Sequence, residues 1–378
     1  MKKTRKGTAR CSVRDVCSVL ESLAPTALAQ SWDNVGLLAG DYEQPVRRLL
    51  LCIDLTEAVA DDAAGAGVDF ILAYHPPIFK PISSLRRPSA GPEATVLRCL
   101  REGTAIYATH TALDAAEGGT NDVLAELCGV TQAESLEYVD QPGKSECKVV
   151  VFVPHEQVER VAGAMFDVGA GRIGDYRHCS YRLSGQGTFL GGESTNPTVG
   201  QRGRLETVEE IRLETVVRSR DLPAVVTALR TAHPYEEPAF DIYPLKPEPV
   251  RGIGRIGRFS RPPTLAALAR KLKKATRATN VRLVGPTNRK LERAIVVAGS
   301  AGSLPFRLPL AAGDVIVTGE LRHHDALTIR RLDCTAIALG HWTSERPVLA
   351  HLANRLREKL PEVDVKVSQS DDEPLATI

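Results

Sequence analysis

Histidine and carboxylate residues recur directly after apolar segments of the sequence that have the character of strands. His75 follows DFILAY, His110 and Asp114 follow TAIYA, and His341 and Glu345 follow CTAIALG. In parallel α/β sheets, ligands collect in the crevice beyond the carboxyl ends of the strands, so we expect these side chains to face one crevice. His341 and Glu345 are four residues apart at a predicted helix start, which places imidazole and carboxylate on one helix face. This spacing predicts that both groups bind the same ion.

A set of imidazole and carboxylate groups is typical of zinc, manganese or iron sites, and a carboxylate such as Glu345 can bridge two ions. Two ions roughly 3.5 to 4 Å apart would polarise a substrate oxygen and lower the pKa of a bound water toward about 7. The pattern therefore predicts hydrolase chemistry. Any one of these residues alone would more often be a cap or a hydrogen-bonded core residue, but their shared position at strand ends favours a metal centre.

Other polar residues next to predicted strands are candidates for proton transfer or phosphate binding. Glu320, His323 and His324 in TGELRHHDAL also follow a strand, and they could orient ligands or move protons, although a solvated helix start explains them equally well. We take His324, Glu320 and His110 as the candidate catalytic residues. The loop at 299–303, GSAGS, could bind phosphate through its amides, but a plain turn is the simpler interpretation.

Two further loops carry polar residues whose role the sequence leaves open. In SWDNVG, Asp33 and Asn34 could lie near the crevice, or they could form an Asx turn. In HPYEEPAFDIY, His233, Glu236 and Glu237 could form a second polar site, or the loop could simply position an edge strand.

The elements that would position these residues follow an α/β rhythm in the first and last thirds of the chain. Apolar residues at helical spacing predict a helix over 13–23, and the runs RLLLCIDL, DFILAY and TAIYA predict buried strands with helices between them. The rhythm resumes with AIVVAGS, DVIVTGE and CTAIALGH. We therefore predict an α/β fold in which residues 1–144 and 248–378 form one doubly wound, mostly parallel sheet domain.

The middle of the chain has a different predicted order of strands and helices. Over residues 145–247 the predicted order is β-α-β-β-α-β, which is typical of a ferredoxin-like α+β module. Proline- and glycine-rich segments, QPG and KPEPVRGIG, flank it and have the composition of linkers. We expect an inserted, separable domain.

Composition limits the class of protein. The chain has 378 residues, enough for two or three domains, and its 48 Lys and Arg against 46 Asp and Glu give no global field for nucleic acid. No basic stripe with interleaved aromatic residues is present, and no apolar run is long enough to cross a membrane. The basic N-terminal run lacks the apolar segment of a secretory signal, and the eight cysteines show no CxxC spacing. These features predict a cytoplasmic protein with reduced thiols.

Taken together, the quoted segments resemble those of a known family over nearly the whole chain. SWDNVGL, YHPPIF, HTALDAAEGGTND, HPYEEPAFDIYPL, GIGRIG, AGSAGS, TGELRHHDA and GHWTSERP are similar, in that order, to segments of the GTP cyclohydrolase 1 type 2 homologs, also called NIF-three-like proteins. The resemblance implies a homohexamer with two divalent metal ions per subunit, bound by His75, Asp114, His341 and Glu345. It also implies that the inserted module is PII/CutA-like, and that the substrate is a nucleotide or phosphoester, with opening of the GTP imidazole ring suggested by the family name.

One position departs from the family pattern. Bacterial members commonly have two adjacent histidines where this chain has Tyr74 and His75. Tyrosine is a poor ligand at neutral pH unless the ion lowers its pKa from about 10, so we expect one ion to bind weakly. The departure favours an alternative hypothesis, a non-catalytic oligomeric adaptor whose inserted module binds a small ligand or partner. An open coordination position facing a crevice would distinguish the enzyme from a closed structural site.

Overall fold

A computed structural model of the protein describes residues 11–82, 84, 91–139, 146–245 and 251–376. The chain divides into two compact units, the larger comprising Met1–Val139 and Pro249–Ile378 and the smaller Asp140–Glu248. The basic N-terminal run and the predicted linker residues 141–143 and 246–250 lie outside the described residues.

The strands, in chain order, are β1 (Gly36–Ala39), β2 (Arg48–Cys52), β3 (Phe70–Ala73), β4 (Ala105–Ala108), β5 (Val130–Tyr138), β6 (Glu146–Pro154), β7 (Ser180–Leu190), β8 (Leu205–Arg218), β9 (Phe240–Pro244), β10 (Gly252–Phe259), β11 (Arg282–Val284), β12 (Arg293–Ser300), β13 (Asp314–Glu320), β14 (Thr335–Ala338) and β15 (Asp364–Val367).

The α-helices are α1 (Val13–Leu23), α2 (Glu57–Ala66), α3 (Pro92–Arg101), α4 (His110–Ala115), α5 (Thr120–Cys128), α6 (Val158–Asp167), α7 (Leu222–Ala232), α8 (Leu265–Thr276), α9 (His323–Arg331), α10 (His341–Glu345) and α11 (Pro347–Lys359). Short 3-10 helices span Thr26–Leu28, His155–Gln157 and Leu304–Arg307. The first helix has the predicted bounds, because Ser12 and Asp15 form a capping box at its start and its apolar face is buried. None of the described helices is long and apolar enough to cross a membrane.

The larger unit contains two sheets. The first has the order β1-β4-β3-β2-β15, in which β4, β3, β2 and β15 are parallel and the edge strand β1 is antiparallel. The second has the order β11-β14-β13-β12-β10-β5, with β12, β13 and β14 parallel and the other strands antiparallel. The strands β3, β4 and β14 are buried along their whole length, as expected for parallel strands covered on both faces.

The two sheets correct the prediction of one doubly wound sheet. Consecutive strands joined by a helical crossover pair with each other, so the first and last thirds each build their own sheet. A single sheet of all these strands would also exceed the usual size of an open twisted sheet. The two thirds exchange edge strands instead: β5 from the first third joins the second sheet, and β15 from the last third joins the first sheet.

The smaller unit is a four-stranded antiparallel sheet of order β7-β8-β6-β9, and its elements follow one another along the chain as β-α-β-β-α-β. Helices α6 and α7 pack on one core with the sheet, which includes Val149, Val151, Met165, Leu213 and Leu229. This unit therefore has a hydrophobic core of its own.

All eight cysteines are free, and six of them are buried, whereas Cys17 and Cys179 are half-buried.

Candidate metal centre

Three of the predicted ligands converge at the ends of two strands that belong to different sheets of the larger unit. His75 lies just beyond β3, where its backbone N–H donates to the carbonyl of Ile53 at 2.9 Å. His341 is the first residue of α10 and Glu345 is the last. The helix begins directly after Gly340, which has φ +102°. One turn of helix thus places imidazole and carboxylate on the same face, as the spacing predicts.

The ligand atoms of His75, His341 and Glu345 all lie within 4.8 Å of one another. Glu345 Oε2 is 3.4 Å from His75 Nε2, and Glu345 Oε1 is 3.2 Å from His341 Nε2. The two imidazole rings have their centroids 5.6 Å apart. The carboxylate therefore lies between two histidine nitrogens that could bind one cation with it.

Glu345 is buried at the centre of this cluster, with 3% of its surface exposed. Its Oε2 atom has no hydrogen-bond partner among the described residues, although His75 Nε2 is close. Gly299, at the end of β12, has φ +61°, and a Cβ atom there would collide with Glu345 Oε1. The GSAGS loop therefore makes room for the carboxylate, and its Gly299 amide donates to Ser344 Oγ at 2.8 Å rather than pointing into a phosphate cradle.

The electrostatics of the cluster favour positive charge. Burial by itself lowers the pKa of His75, but the hydrogen bond with Asp54 and the negative charges of Asp54 and Glu345 raise it to about 10. The bond to Glu345 also raises the pKa of His341. Burial raises the pKa of Glu345, but His341 and His75 outweigh it and lower that pKa overall. Asp54 and Glu345 thus hold a proton on the His75 imidazole at the position that a metal cation would take, and metal binding would displace that proton.

The fourth predicted ligand, Asp114, lies on α4 beside this cluster. The buried Tyr74 hydroxyl donates to Asp114 Oδ1, so the carboxylate already has a partner. Burial and the nearby Glu345 raise the pKa of Asp114 to about 6, against the lowering effect of Tyr74. Burial together with the charge of Asp114 raises the pKa of Tyr74 well above its usual value, so the phenol stays protonated at neutral pH.

His110 is adjacent to the same cluster. Its ring centroid is 5.2 Å from that of His75, and its Nδ1 lies 2.8 Å from Asp33 Oδ1. The residue has φ +27°, which is uncommon for a residue other than glycine, and its amide donates to the carbonyl of Tyr74 at 2.9 Å. Asp33, which also accepts from the Thr111 amide at 3.1 Å, thus fixes the orientation of the His110 ring.

The remaining candidates lie at the rim. Glu320, the last residue of β13, places Oε1 3.3 Å from His341 Nδ1, and its side chain is 54% exposed. His323 and His324 are exposed in the first turn of α9, where their rings contact each other with centroids 5.5 Å apart. The structure therefore brings Glu320 to the cluster, whereas His324 contacts its own helix turn.

Two aspartates that the sequence reading missed hold the cluster together. Asp54 follows β2 and places Oδ1 2.9 Å from His75 Nδ1, which directs Nε2 toward Glu345. Asp371 is fully buried near the C-terminus and accepts from the Ile53 amide at 2.8 Å and from Trp342 Nε1 at 3.1 Å. It therefore ties the loop that carries Asp54 to the helix that carries His341 and Glu345. No periodicity or local motif marks Asp371.

The residues present fit a divalent metal ion. Two imidazole nitrogens and a carboxylate are a common donor set for zinc, manganese or iron, and the histidines have carboxylate partners on their other nitrogens, as ligating histidines usually do. A buried carboxylate oxygen without a partner is costly unless a cation or proton satisfies it.

A cavity of about 640 Å³ opens beside this cluster. Charged and polar residues of its lining include His341, Glu320, Glu373, Asn280, Arg282 and Arg322. Two arginines in a cavity beside a candidate metal centre suit an anionic ligand.

Comparison with known proteins connects the whole chain to one family. Residues 11–374 match the model of the Duf34/NIF3 (NGG1p interacting factor 3) family. The GTP cyclohydrolase 1 type 2 homolog of Mycobacterium bovis is 39% identical over 349 residues, 91% of this chain and 90% of that protein. The homolog from Bacillus subtilis is 35% identical over 369 residues, 96% of this chain and 97% of that protein.

Solved structures show similarity to proteins of the same family. A Bacillus cereus protein related to NIF3 superposes with a TM-score of 0.70 at 34% identity, covering 98% of this chain and 100% of that chain. Staphylococcus aureus protein SA1388 superposes with a TM-score of 0.77 at 25% identity, with the same coverage of both chains.

Proposed function

The chain belongs to the Duf34/NIF3 family, and we propose that it is a hydrolase that depends on divalent metal ions. The observation that carries this proposal is the convergence of His75, His341 and Glu345 around a buried carboxylate oxygen that has no hydrogen-bond partner in the described part of the chain. The adaptor hypothesis predicts a closed site, whereas this cluster adjoins a cavity large enough for a small-molecule substrate.

Each residue of the cluster has a role in this proposal. His75, His341 and Glu345 would hold the first ion, and Glu345 with Asp114 would hold a second, weaker one. Such ions supply Lewis acidity and a water of lowered pKa. Asp54 and Glu320 orient the two imidazoles through their Nδ1 atoms. His110, held by Asp33, and the exposed Glu320 are positioned to accept or donate a proton at the crevice. His324 remains a proposed proton carrier at the rim.

The cavity beside the cluster supports a phosphate-bearing substrate. Arg282 lines this cavity and is exposed to solvent, so its guanidinium group offers hydrogen-bond donors that match phosphate oxygens. We therefore propose a nucleotide or phosphoester as the substrate class, with ring opening of GTP as the first reaction to test, because curated relatives are named GTP cyclohydrolase 1 type 2 homologs.

The test measures turnover of GTP and of bis(p-nitrophenyl) phosphate by protein loaded with zinc, manganese or iron(II). We expect metal-dependent turnover that His341→Ala abolishes. Arg282→Gln should raise KM about tenfold with kcat little changed, since it removes one charged contact to the substrate. Arg261→Gln, at another exposed arginine of the larger unit, is the matched control. Protein that binds metal yet turns over neither compound would favour the adaptor hypothesis instead.

We further propose that the protein is a cytoplasmic homohexamer and that its smaller unit is a ferredoxin-like, PII/CutA-like module. The resemblance to NIF-three-like proteins supports the hexamer. Exposed Tyr181, Leu183 and Tyr243 on the sheet of the smaller unit support contact between copies. Light scattering at micromolar concentration tests this assembly, and a monomer would contradict it.

A further inference from the structure

The smaller unit contains a cavity that the proposed hydrolase chemistry does not use. Its volume is about 470 Å³. It is lined by the strands β7 and β8, by the loop that connects them and by the HPYEEP turn before β9. We propose that this cavity binds a small organic cation, an amine or amidine attached to an apolar body. This site is separate from the candidate metal centre and does not depend on it.

The HPYEEP turn is held rigidly enough to form one wall. His233 is buried, its Nε2 lies 2.9 Å from the carbonyl of Phe152, and its Nδ1 accepts from the Tyr235 amide at 3.1 Å. Both nitrogens are therefore engaged with the backbone, so His233 fixes the turn against β6. This leaves Tyr235, Glu236 and Glu237 on the cavity side of the turn.

The loop after β7 closes over the same turn. The Asn196 amide donates to Glu236 Oε1 at 2.9 Å, and Thr198 Oγ1 donates to the carbonyl of Pro234 at 2.8 Å. Two hydrogen bonds hold the loop and the turn together, and residues of both line the cavity. It is therefore a formed concave site and not a gap between unconnected segments.

Apolar side chains make up much of the lining: Phe152, Phe189, Leu190, Pro197 and Val199. Leu190 is 63% exposed and Val199 is 42% exposed, although both belong to a concave surface. Apolar groups left exposed in a concavity are a common mark of ligand binding, because a ligand would remove them from water. The apolar body of the ligand would occupy this part of the cavity.

The polar groups of the lining select the charge of the ligand. The Tyr235 hydroxyl is buried and has no hydrogen-bond partner in the described structure, while burial and the neighbouring Glu210 carboxylate raise the pKa of Tyr235 to about 12. The phenol thus stays neutral and can accept a hydrogen bond from an ammonium or amidinium group. Glu210 lines the cavity beside it and supplies the opposite charge.

Among the residues that the structure describes, the lining includes three carboxylates, Glu210, Glu236 and Glu237, and neither lysine nor arginine. Arg212 stacks on Phe152 at 5.7 Å but is not a lining residue, and it pairs with Glu214 at 2.8 Å. This charge distribution repels phosphates and carboxylates and attracts cations. The cavity of the larger unit differs, because Arg282 and Arg322 line it together with Glu320 and Glu373.

The experiment compares two probes that share a ring system and differ in charge. Calorimetric titration of the full-length protein with tryptamine should show saturable binding, whereas indole-3-acetate should not bind. Glu210→Gln should weaken tryptamine binding about tenfold, the loss expected for one charge-assisted contact. Tyr235→Phe, which removes only the hydroxyl, should weaken it by a smaller factor. Glu156→Gln neutralises an exposed carboxylate outside the lining of the same unit and should leave binding unchanged.

Equal binding of both probes would overturn the charge assignment, and binding of neither would overturn the site. Tryptamine binding that neither Glu210→Gln nor Tyr235→Phe changes would also overturn it, since the ligand would then lie elsewhere. The comparison of probes needs only the unmodified protein, so it stands even if one variant does not fold.

Discussion

Two regions of this protein contain histidine close to glutamate, one in each unit, and their chemistry differs. In the larger unit, His75 and His341 present Nε2 to Glu345 at 3.4 and 3.2 Å. In the smaller unit, His233 has Nε2 2.9 Å from a backbone carbonyl, and its Nδ1 accepts from a backbone amide at 3.1 Å. A histidine with both nitrogens engaged by the backbone cannot bind a metal ion. The partner of each nitrogen therefore separates a candidate metal centre from a structural turn, although the residue types are the same.

The strongest test of this contrast removes a carboxylate from each region. Glu345→Ala should abolish metal binding, because it removes the carboxylate that lies between both histidines. The affinity should fall more than about 100-fold, which is more than the loss usually caused by removing a group that only orients a ligand. Glu237→Ala, in the turn that follows His233, should leave metal affinity unchanged. Calorimetric titration with Zn²⁺ measures both variants. Wild-type affinity in the Glu345 variant would show that the ion does not bind at this cluster.

A smaller effect is expected from Asp371, which acts through the residues it holds. Asp371→Asn keeps the size of the side chain but replaces one acceptor with a donor facing the Ile53 amide or Trp342 Nε1. Metal affinity should fall about tenfold, within the range for groups that orient ligands.

Asp364→Asn, at an exposed position of β15, is the matched control for that change and should alter neither metal affinity nor the thermal midpoint. An unchanged affinity in the Asp371 variant would mean that the anchoring of α10 to the loop after β2 does not limit metal binding.

The Tyr74 position tests whether the cluster lacks only one imidazole for a second tight ion. Tyr74→His should raise the metal-to-protein ratio toward two, with the weaker site tightened about tenfold, because neutral imidazole binds without first losing a proton of very high pKa. Tyr74→Phe also removes the hydrogen bond to Asp114 but adds no ligand, so it separates the two effects. Metal analysis after dialysis gives the ratio. A histidine variant that binds no more metal than the phenylalanine variant would contradict the assignment.

The smallest expected effect is a pH dependence of the turn in the smaller unit. Burial lowers the pKa of His233, so below about pH 6.5, the usual histidine value, the unfolded state binds more protons than the folded state. The contribution of His233 to stability is therefore fully present above that pH and is lost as the pH falls from there toward the lowered value.

Hydrogen exchange of the peptide that contains His233 and Tyr235 should accelerate between pH 7 and 5, after correction for intrinsic rates. The effect should be weaker in His233→Gln, which does not titrate. Peptides from α11 in the larger unit serve as the internal reference. Equal acceleration in the wild type and in His233→Gln would assign the pH dependence to another group.

Much of the fold follows from local pattern, but the edge strands do not. The apolar runs predict β2, β3, β4, β12, β13 and β14, which are the parallel strands buried in the two sheets. β5 was missed because most of its residues are polar and at least partly exposed, and β1, β11 and β15 are only three or four residues long. Such strands exist because a neighbouring strand offers hydrogen bonds, and a propensity or period cannot reveal that neighbour.

The sequence by itself determined the local geometry of the candidate centre. His75 follows a strand that must be buried, and His341 and Glu345 share one turn of helix, since hydrophobic period and helical repeat depend only on near neighbours. The strand-end positions also predicted that these residues face one crevice, but only the tertiary structure decided that β3 and β14, whose ends form it, belong to separate sheets. It also decided that Asp371 accepts a hydrogen bond from the Ile53 amide, 318 residues away in the chain. Contacts between distant segments depend on how the sheets pack, which no local pattern encodes.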